Sequence, residues 1–332
     1  MKAIEASKLA KYYRRFLAVD HVSFDVDEGE VFGFLGPNGA GKTTTIKMLN
    51  TLTRISEGTA RVYGFDVSSQ AREVRKTIGV VPQEMTLDRE MTGLENIRIQ
   101  ARLYGIPSEV AMRRADQLLT LVDMKKVAGR EVNTYSWGMQ KRLELIMGLV
   151  HDPKVIFLDE PTLGLDAQTR ATIWEYVRRL NKDFMVTIFL TTHYLEEADE
   201  LCGRIGIIDG GKLRALGTPS ELKNSVRGEL VKLRLRQAPA QTATDALAAI
   251  SGVKQVKVEG TSLEVEVDDG ASAAPKIVLA LAAAGAEPES VVVDKTDLNQ
   301  VFLRHISSDP ETSSDEDVMK LVARERLLKE RR

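Results

Sequence analysis

The chain has 332 residues, 43% hydrophobic and 28% charged, with 46 Lys and Arg against 48 Asp and Glu for a net charge of −2. Its length corresponds to about two domains of ~150 residues, and its composition to a folded, water-soluble chain, which excludes disordered and fibrous classes. The balanced charge supplies no basic field of the kind that marks a nucleic-acid or membrane-surface partner.

Along the chain, the opening MKAIEASKLAKYY has no apolar h-region. Residues 1 to about 220 then mix apolar runs (VFGFLG, IGVVP, VIFLDE, TIFLTT, IGIID) with amphipathic stretches and glycines. This alternation predicts an α/β layered domain. Gly210-Gly211 and Gly217-Thr218-Pro219 supply turn chemistry, and Ser220 is placed to cap a short connecting helix. From about 229 to 306 come alternating segments, Val231/Leu233/Leu235, Val256/Val258 and Leu263/Val265/Val267. With Ala-rich helix candidates at 241–250 and 274–284 they predict a β-α-β-β-α-β module, a small ferredoxin-like α+β domain over 221–306 closed by a helix Leu298–Ile306. Residues 307–332 form a charged tail: SSDPETSSDED reads as disordered, and Val318, Leu321, Val322 and Leu328 share a face of a terminal helix. The apolar run Ile277 to Ala286 is ten residues against the ~20 that a membrane helix needs, so the expectation is a chain that neither spans a membrane nor is secreted. Cys202 has no partner for an internal disulfide, and neither it nor the four histidines show zinc-ligand spacing.

Two features carry chemistry. Gly36-Pro37-Asn38-Gly39-Ala40-Gly41-Lys42-Thr43 fits G-x-x-x-x-G-K-[ST], between a strand candidate Val31–Leu35 and a helix candidate Thr43–Asn50 that includes Thr44. Glycines let successive backbone N–H groups turn toward phosphates, Lys42 neutralises the β- and γ-phosphates, and the Thr43 hydroxyl ligates Mg²⁺. The buried strand Val155–Leu158 then delivers Asp159 and Glu160. Asp159 is placed to hold Mg²⁺ through water, and Glu160 to polarise a water attacking the γ-phosphate.

Tyr135-Ser136-Trp137-Gly138-Met139-Gln140, followed by an amphipathic helix and the Asp159-Glu160 strand, resembles the LSGGQ signature of ATP-binding-cassette (ABC) ATPases. The rest of that family's set appears in order: Tyr13 at the adenine-stacking aromatic, Gln83 in Val-Val-Pro-Gln, Leu163-Gly-Leu-Asp166 at the D-loop, and His193 after TIFLTT. The resemblance covers about residues 3 to 220. Within the family, Met139, EPTLGLD and the closing Leu298-Asn-Gln-Val-Phe302-Leu look most like the drug, lipid or polysaccharide exporter ATPases that include the daunorubicin-resistance type.

The resemblance implies a role for each residue. Tyr13 offers a π-face to adenine, with Tyr12 as the rival choice. The Gln83 amide bonds a Mg²⁺ ligand or the lytic water and opens a helical segment at about 84–150. His193 orients the γ-phosphate and Glu160. Ser136 and the Gly138 amide meet a γ-phosphate at the start of a helix. Asp166 touches the partner copy's phosphate loop or caps the helix Ala167–Leu180. Trp137 departs from the family's glycine: if that position needs positive φ it costs roughly 1–2 kcal/mol, and otherwise the ring points outward or packs on a membrane partner.

The expectation is therefore a P-loop NTPase of the ABC nucleotide-binding type with a helical subdomain, plus an accessory, regulatory C-terminal domain. It would bind ATP and Mg²⁺ in a head-to-tail homodimer at the cytoplasmic face of the membrane, and drive a separate integral membrane subunit that docks near Gln83–Tyr104, with no nucleic-acid partner. A soluble ABC ATPase working on ribosomes or DNA is the rival, and would carry two cassettes or a coiled-coil insertion, neither of which is present in the sequence. A second rival, a protein holding ATP as a structural ligand, would lack the acid at position 160.

Overall fold

The computed structural model describes residues 1–225, 229–294 and 298–306; the predicted tail and its terminal helix lie outside them. Following the chain, the elements are β1 (Lys2–Tyr13), β2 (Phe16–Asp27), β3 (Val31–Leu35), α1 (Lys42–Leu49), β4 (Glu57–Val62), β5 (Phe65–Asp66), α2 (Ala71–Thr77), β6 (Ile78–Val81), α3 (Gly93–Leu103), α4 (Ser108–Leu121), α5 (Trp137–Leu149), β7 (Val155–Asp159), α6 (Ala167–Phe184), β8 (Thr187–Thr192), α7 (Leu195–Leu201), β9 (Arg204–Asp209) and β10 (Lys212–Gly217). After them come α8 (Pro219–Ser225), β11 (Glu229–Leu235), α9 (Gln241–Ala248), β12 (Val253–Glu259), β13 (Ser262–Val267), α10 (Gly270–Ala283), β14 (Pro288–Asp294) and α11 (Leu298–Ile306). The chain divides into two compact units between Pro219 and Ser220.

The first unit holds two sheets. An antiparallel sheet has the order β2-β1-β4-β5, and a six-stranded sheet the order β10-β9-β3-β8-β7-β6. In the second sheet every pair is parallel except β9–β10. Strands covered on both faces are largely apolar, and every residue of β7 and β8 is buried, the apolar centres Ile156–Leu158 and Ile188–Leu190 included. Phe24, Phe32 and Phe189 stack between the sheets, with the Phe32 and Phe189 centroids 5.4 Å apart. The parallel pairing brings the carboxyl ends of β3, β7 and β8 to one edge, the usual ligand crevice of such sheets.

The helices between β6 and β7 begin at Gly93 and not at residue 84, because Thr92 and Glu95 form a reciprocal capping box that fixes the start of α3. α6 is capped by Asp166, whose carboxylate accepts the Thr169 N–H at 2.9 Å, and buries Ile173, Tyr176, Val177 and Leu180 on one face. It runs to Phe184, one turn beyond the expected end, and stops where Met185 turns left-handed at φ 53°.

The second unit is an antiparallel sheet of order β12-β13-β11-β14, the ferredoxin-like arrangement of a β-α-β-β-α-β chain. Val231, Leu233, Leu263, Val265, Val267, Leu247 and Ile277 form its core. Two expectations are corrected here. α8 starts at Pro219, so Ser220 lies inside the first turn and does not cap it, proline being well suited to the first helical position. α10 starts at Gly270 and not 274, because Asp269 accepts the Ala271 and Ser272 N–H groups at 3.0 and 3.4 Å. Pro275 therefore sits inside the helix, where it gives up one backbone bond. Among the described residues, no helix is long and apolar enough to cross a membrane.

Candidate active site

The carboxyl edge of the parallel sheet opens into a cavity of about 540 Å³ lined by Tyr13, Phe16, Ala18, Pro37 through Thr44, Gln83, Glu160, Leu163 and His193. Its floor is the turn from β3 into α1. Gly41 takes φ 103° there, and a Cβ on it would stand 2.7 Å from the Ala18 carbonyl oxygen, so the turn is closed to any other residue. Lys42 is buried, and its ammonium donates to the Gly36 and Pro37 carbonyls at 2.7 and 3.0 Å, which holds it curled under the loop.

The adjoining strand ends add the acids. Asp159 is paired in register with Thr191 and accepts that residue's hydroxyl at 2.5 Å and the Thr43 hydroxyl at 3.2 Å. Glu160 follows at φ 51°, in the left-handed region, a conformation that costs a non-glycine residue about 1–2 kcal/mol. Its N–H donates to the Thr191 carbonyl at 3.1 Å. The carboxylate, only 5% exposed, has Oε1 3.1 Å from Lys42 Nζ and Oε2 2.7 Å from His193 Nδ1. Burial pushes this carboxyl up, but the His193 hydrogen bond and the Lys42 charge together outweigh it and hold Glu160 below its ordinary value.

The hairpin β1–β2 supplies the aromatic rim. Its turn takes Arg14 to φ 57°, and Tyr13 pairs with Phe16 across it. Both rings are exposed and both line the cavity, whereas Tyr12 does not. Phe16 was not singled out in the sequence; the only signal was its place directly after the basic pair Arg14-Arg15.

Ser136, Gly138 and Asp166 do not line this cavity. Ser136 caps α5, accepting the Met139 N–H at 3.3 Å. Gly138 faces α6 so closely that a Cβ would stand 2.5 Å from Thr169 Cγ2. Trp137 is the first residue of α5 and keeps negative φ, so the strain considered for it does not arise; the residue is 48% exposed. His21 and His151 do not line the cavity, and His151 instead stacks on Tyr104 at 3.7 Å.

The donor set near Thr43 suits a hard cation: a hydroxyl, a carboxylate and, at the cavity wall, the Gln83 amide are all oxygen ligands. A phosphate loop under a parallel sheet edge, an acid pair on the neighbouring strand and a helical insertion between them define a nucleotide-binding cassette of the phosphate-loop class. Comparison with known proteins agrees. The ABC transporter family model matches residues 19–163, and the model for the C-terminal domain of DrrA1-3-like ATP-binding proteins matches 217–306. The chain is 40% identical to the daunorubicin resistance ATP-binding protein DrrA3 of Streptomyces coeruleorubidus, over 92% of this chain and 96% of that one. It is also 40% identical to the daunorubicin/doxorubicin resistance ATP-binding protein DrrA of Streptomyces peucetius, over 91% and 92%. A solved ATP-binding subunit of an ABC transporter superposes with a TM-score of 0.60 at 28% identity, covering 67% of this chain and 92% of that one. The chain belongs to the ABC transporter family of ATP-binding proteins, an ATPase family.

Proposed function

We propose that this chain is the ATP-hydrolysing subunit of an exporter of the drug-resistance type, and that two copies close head to tail over two ATP molecules to drive a separate membrane-spanning subunit. The observation that carries this reading is Glu160, buried and held ionised between Lys42 and His193 at the wall of a cavity floored by a complete phosphate loop.

Each role follows from position. Tyr13, with Phe16 beside it, takes the adenine face, and residues Gly36 through Thr44 cradle the phosphates. Thr43, Asp159 and Gln83 would hold Mg²⁺, which when bound neutralises charge on the phosphate oxygens. Glu160 accepts the proton of a water as it attacks the γ-phosphoryl group, and His193 keeps the carboxylate oriented. Ser136, Gly138 and Asp166 lie away from their own chain's cavity, which supports their facing the cavity of a second copy. Exposed Ile99 and Leu103 on α3, with Tyr104 just after it, support docking of the membrane subunit there, with the chain peripheral to the cytoplasmic face. The names of the two Streptomyces relatives suggest an anthracycline-like cargo.

The test is affinity capture of the full chain after detergent extraction of cells. An integral membrane protein in near-stoichiometric yield, released when Leu103 is changed to Glu, is the expected result. Recovery with ribosomes instead would contradict the reading.

A further inference from the structure

Lys141 and Glu144 lie on α5 with side chains 3% and 2% exposed and Lys141 Nζ 3.0 Å from Glu144 Oε2. Neither lines the cavity. Their remaining hydrogen bonds go to one stretch of chain between β6 and α3. Lys141 Nζ donates to the Gln83 carbonyl at 3.3 Å, and Glu144 Oε1 accepts the Thr86 N–H at 2.8 Å and the Thr86 hydroxyl at 3.4 Å.

Stability does not account for this pair. A buried ion pair generally contributes no more than apolar residues of the same volume, because desolvation offsets the attraction. What apolar residues do not supply is direction: two charges aimed at a carbonyl and an N–H fix an otherwise irregular loop in register. The loop matters because Gln83 lines the cavity while its carbonyl is held by Lys141. The helix matters because Ser136 caps it and Gly138 lies in its first turn, and a helix moves as a rigid rod over such a short span.

We infer that the Lys141–Glu144 pair is a positioning device that fastens the Gln83 loop to the helix carrying Ser136 and Gly138, so that the two are displaced together. This rests on the reading of Gln83 as a ligand of Mg²⁺ or of the attacking water. The bond from the Gln83 carbonyl sets where its amide sits at the cavity wall, and any shift of that amide is passed to the signature serine through two side chains. The pair is thus a within-chain link between the group that meets nucleotide in one copy and the group offered to the other copy.

The test uses the full chain with Lys141→Met and Glu144→Met together, which removes both charges and leaves neither buried alone. Its melting temperature is expected to equal or exceed that of the wild type. Amide hydrogen exchange across residues 84–91 should speed up about ten-fold while α5 stays protected. The Mg²⁺ concentration for half-maximal ATPase activity should rise about five-fold, as it should in Gln83→Ala, and the triple variant should rise no further than either alone. If the double variant melts lower than the wild type, Glu144→Gln is read instead, with both shifts expected in smaller size. Unchanged exchange at 84–91 overturns the proposal. So does a wild-type Mg²⁺ midpoint in the pair variant when Gln83→Ala shifts it. If Gln83→Ala itself shifts nothing, the Gln83 reading fails and the proposal falls with it.

Discussion

Lys42 Nζ stands 3.1 Å from Glu160 Oε1, with both side chains buried. Under the proposed roles, the cation that would neutralise phosphate and the carboxylate that would activate water share one local charge balance. The carboxylate attracts the lysine away from an incoming phosphate and repels the phosphate itself, so catalysis and nucleotide affinity are opposed at this pair.

Removing the aromatic rim should weaken nucleotide binding. Base–aromatic stacking is worth about 1–3 kcal/mol, so Tyr13→Ala is expected to raise the ATP dissociation constant by roughly 5- to 150-fold. Phe16→Ala should act in the same direction, whereas Tyr12→Ala, outside the cavity, should change binding less than about two-fold. Titration with a fluorescent ATP analogue measures all three.

Restoring glycine at the signature should bring little gain. Because Trp137 already has ordinary helical backbone, Trp137→Gly relieves no strain and loses some helix propensity, up to about 1 kcal/mol. Turnover within about three-fold of wild type is expected. A large acceleration would show that the indole itself obstructs closure.

Much of the fold was legible because its signals are local. Continuous apolar runs marked the strands of the parallel sheet, and strict alternation marked Val231/Leu233/Leu235 and Leu263/Val265/Val267, whose side chains all point into one core. The glycine spacing around Lys42 announced the phosphate loop. What stayed hidden depends on pairing across long stretches of chain. Thr191 reaches Asp159 only because β7 and β8 are neighbours in register. Phe16 joins the cavity through a two-residue turn, and Lys141 and Glu144 read as ordinary helix charges until the Gln83 loop folds over them. At α10 the Ala-rich stretch marked the helix but not its start, which the preceding Asp269 cap sets.

The pH dependence follows from Glu160. Its carboxyl is depressed in the folded chain below the ordinary 4.5, so it contributes stability above that value and loses it as pH falls through the folded value. The carboxylate thus stays ionised through mildly acid conditions. In His193→Ala one of the bonds that oppose burial is gone and only Lys42 still holds the carboxyl down, so the acid limb of kcat/KM is expected to move to higher pH. A pH–rate profile identical to wild type would remove His193 from this role.

The second unit has no phosphate loop, and its outer sheet face carries charges of both signs, Lys232 and Arg234 on β11, Lys257 and Glu259 on β12, and Glu264 and Glu266 on β13. If this face joins two copies, it does so through exposed charges, which salt screens. Truncation after residue 220 should leave ATP binding within about three-fold of wild type while making dimerisation more dependent on protein concentration. In the full chain, salt should have a similar effect. Sedimentation at several concentrations with and without ATP measures both, and loss of ATP binding by a folded truncated chain would contradict this division of labour.

The most direct test of the central claim is Mg-ATP turnover and sedimentation of Glu160→Gln, which keeps the size and hydrogen bonding of the side chain but not its charge. The account predicts that turnover falls at least ~10²-fold, that ATP binding is retained or tightened as Lys42 is freed, and that an ATP-bound dimer accumulates. Lys42→Ala should instead lose binding. Wild-type turnover by the Gln variant would contradict the assignment of Glu160 as the group that activates water.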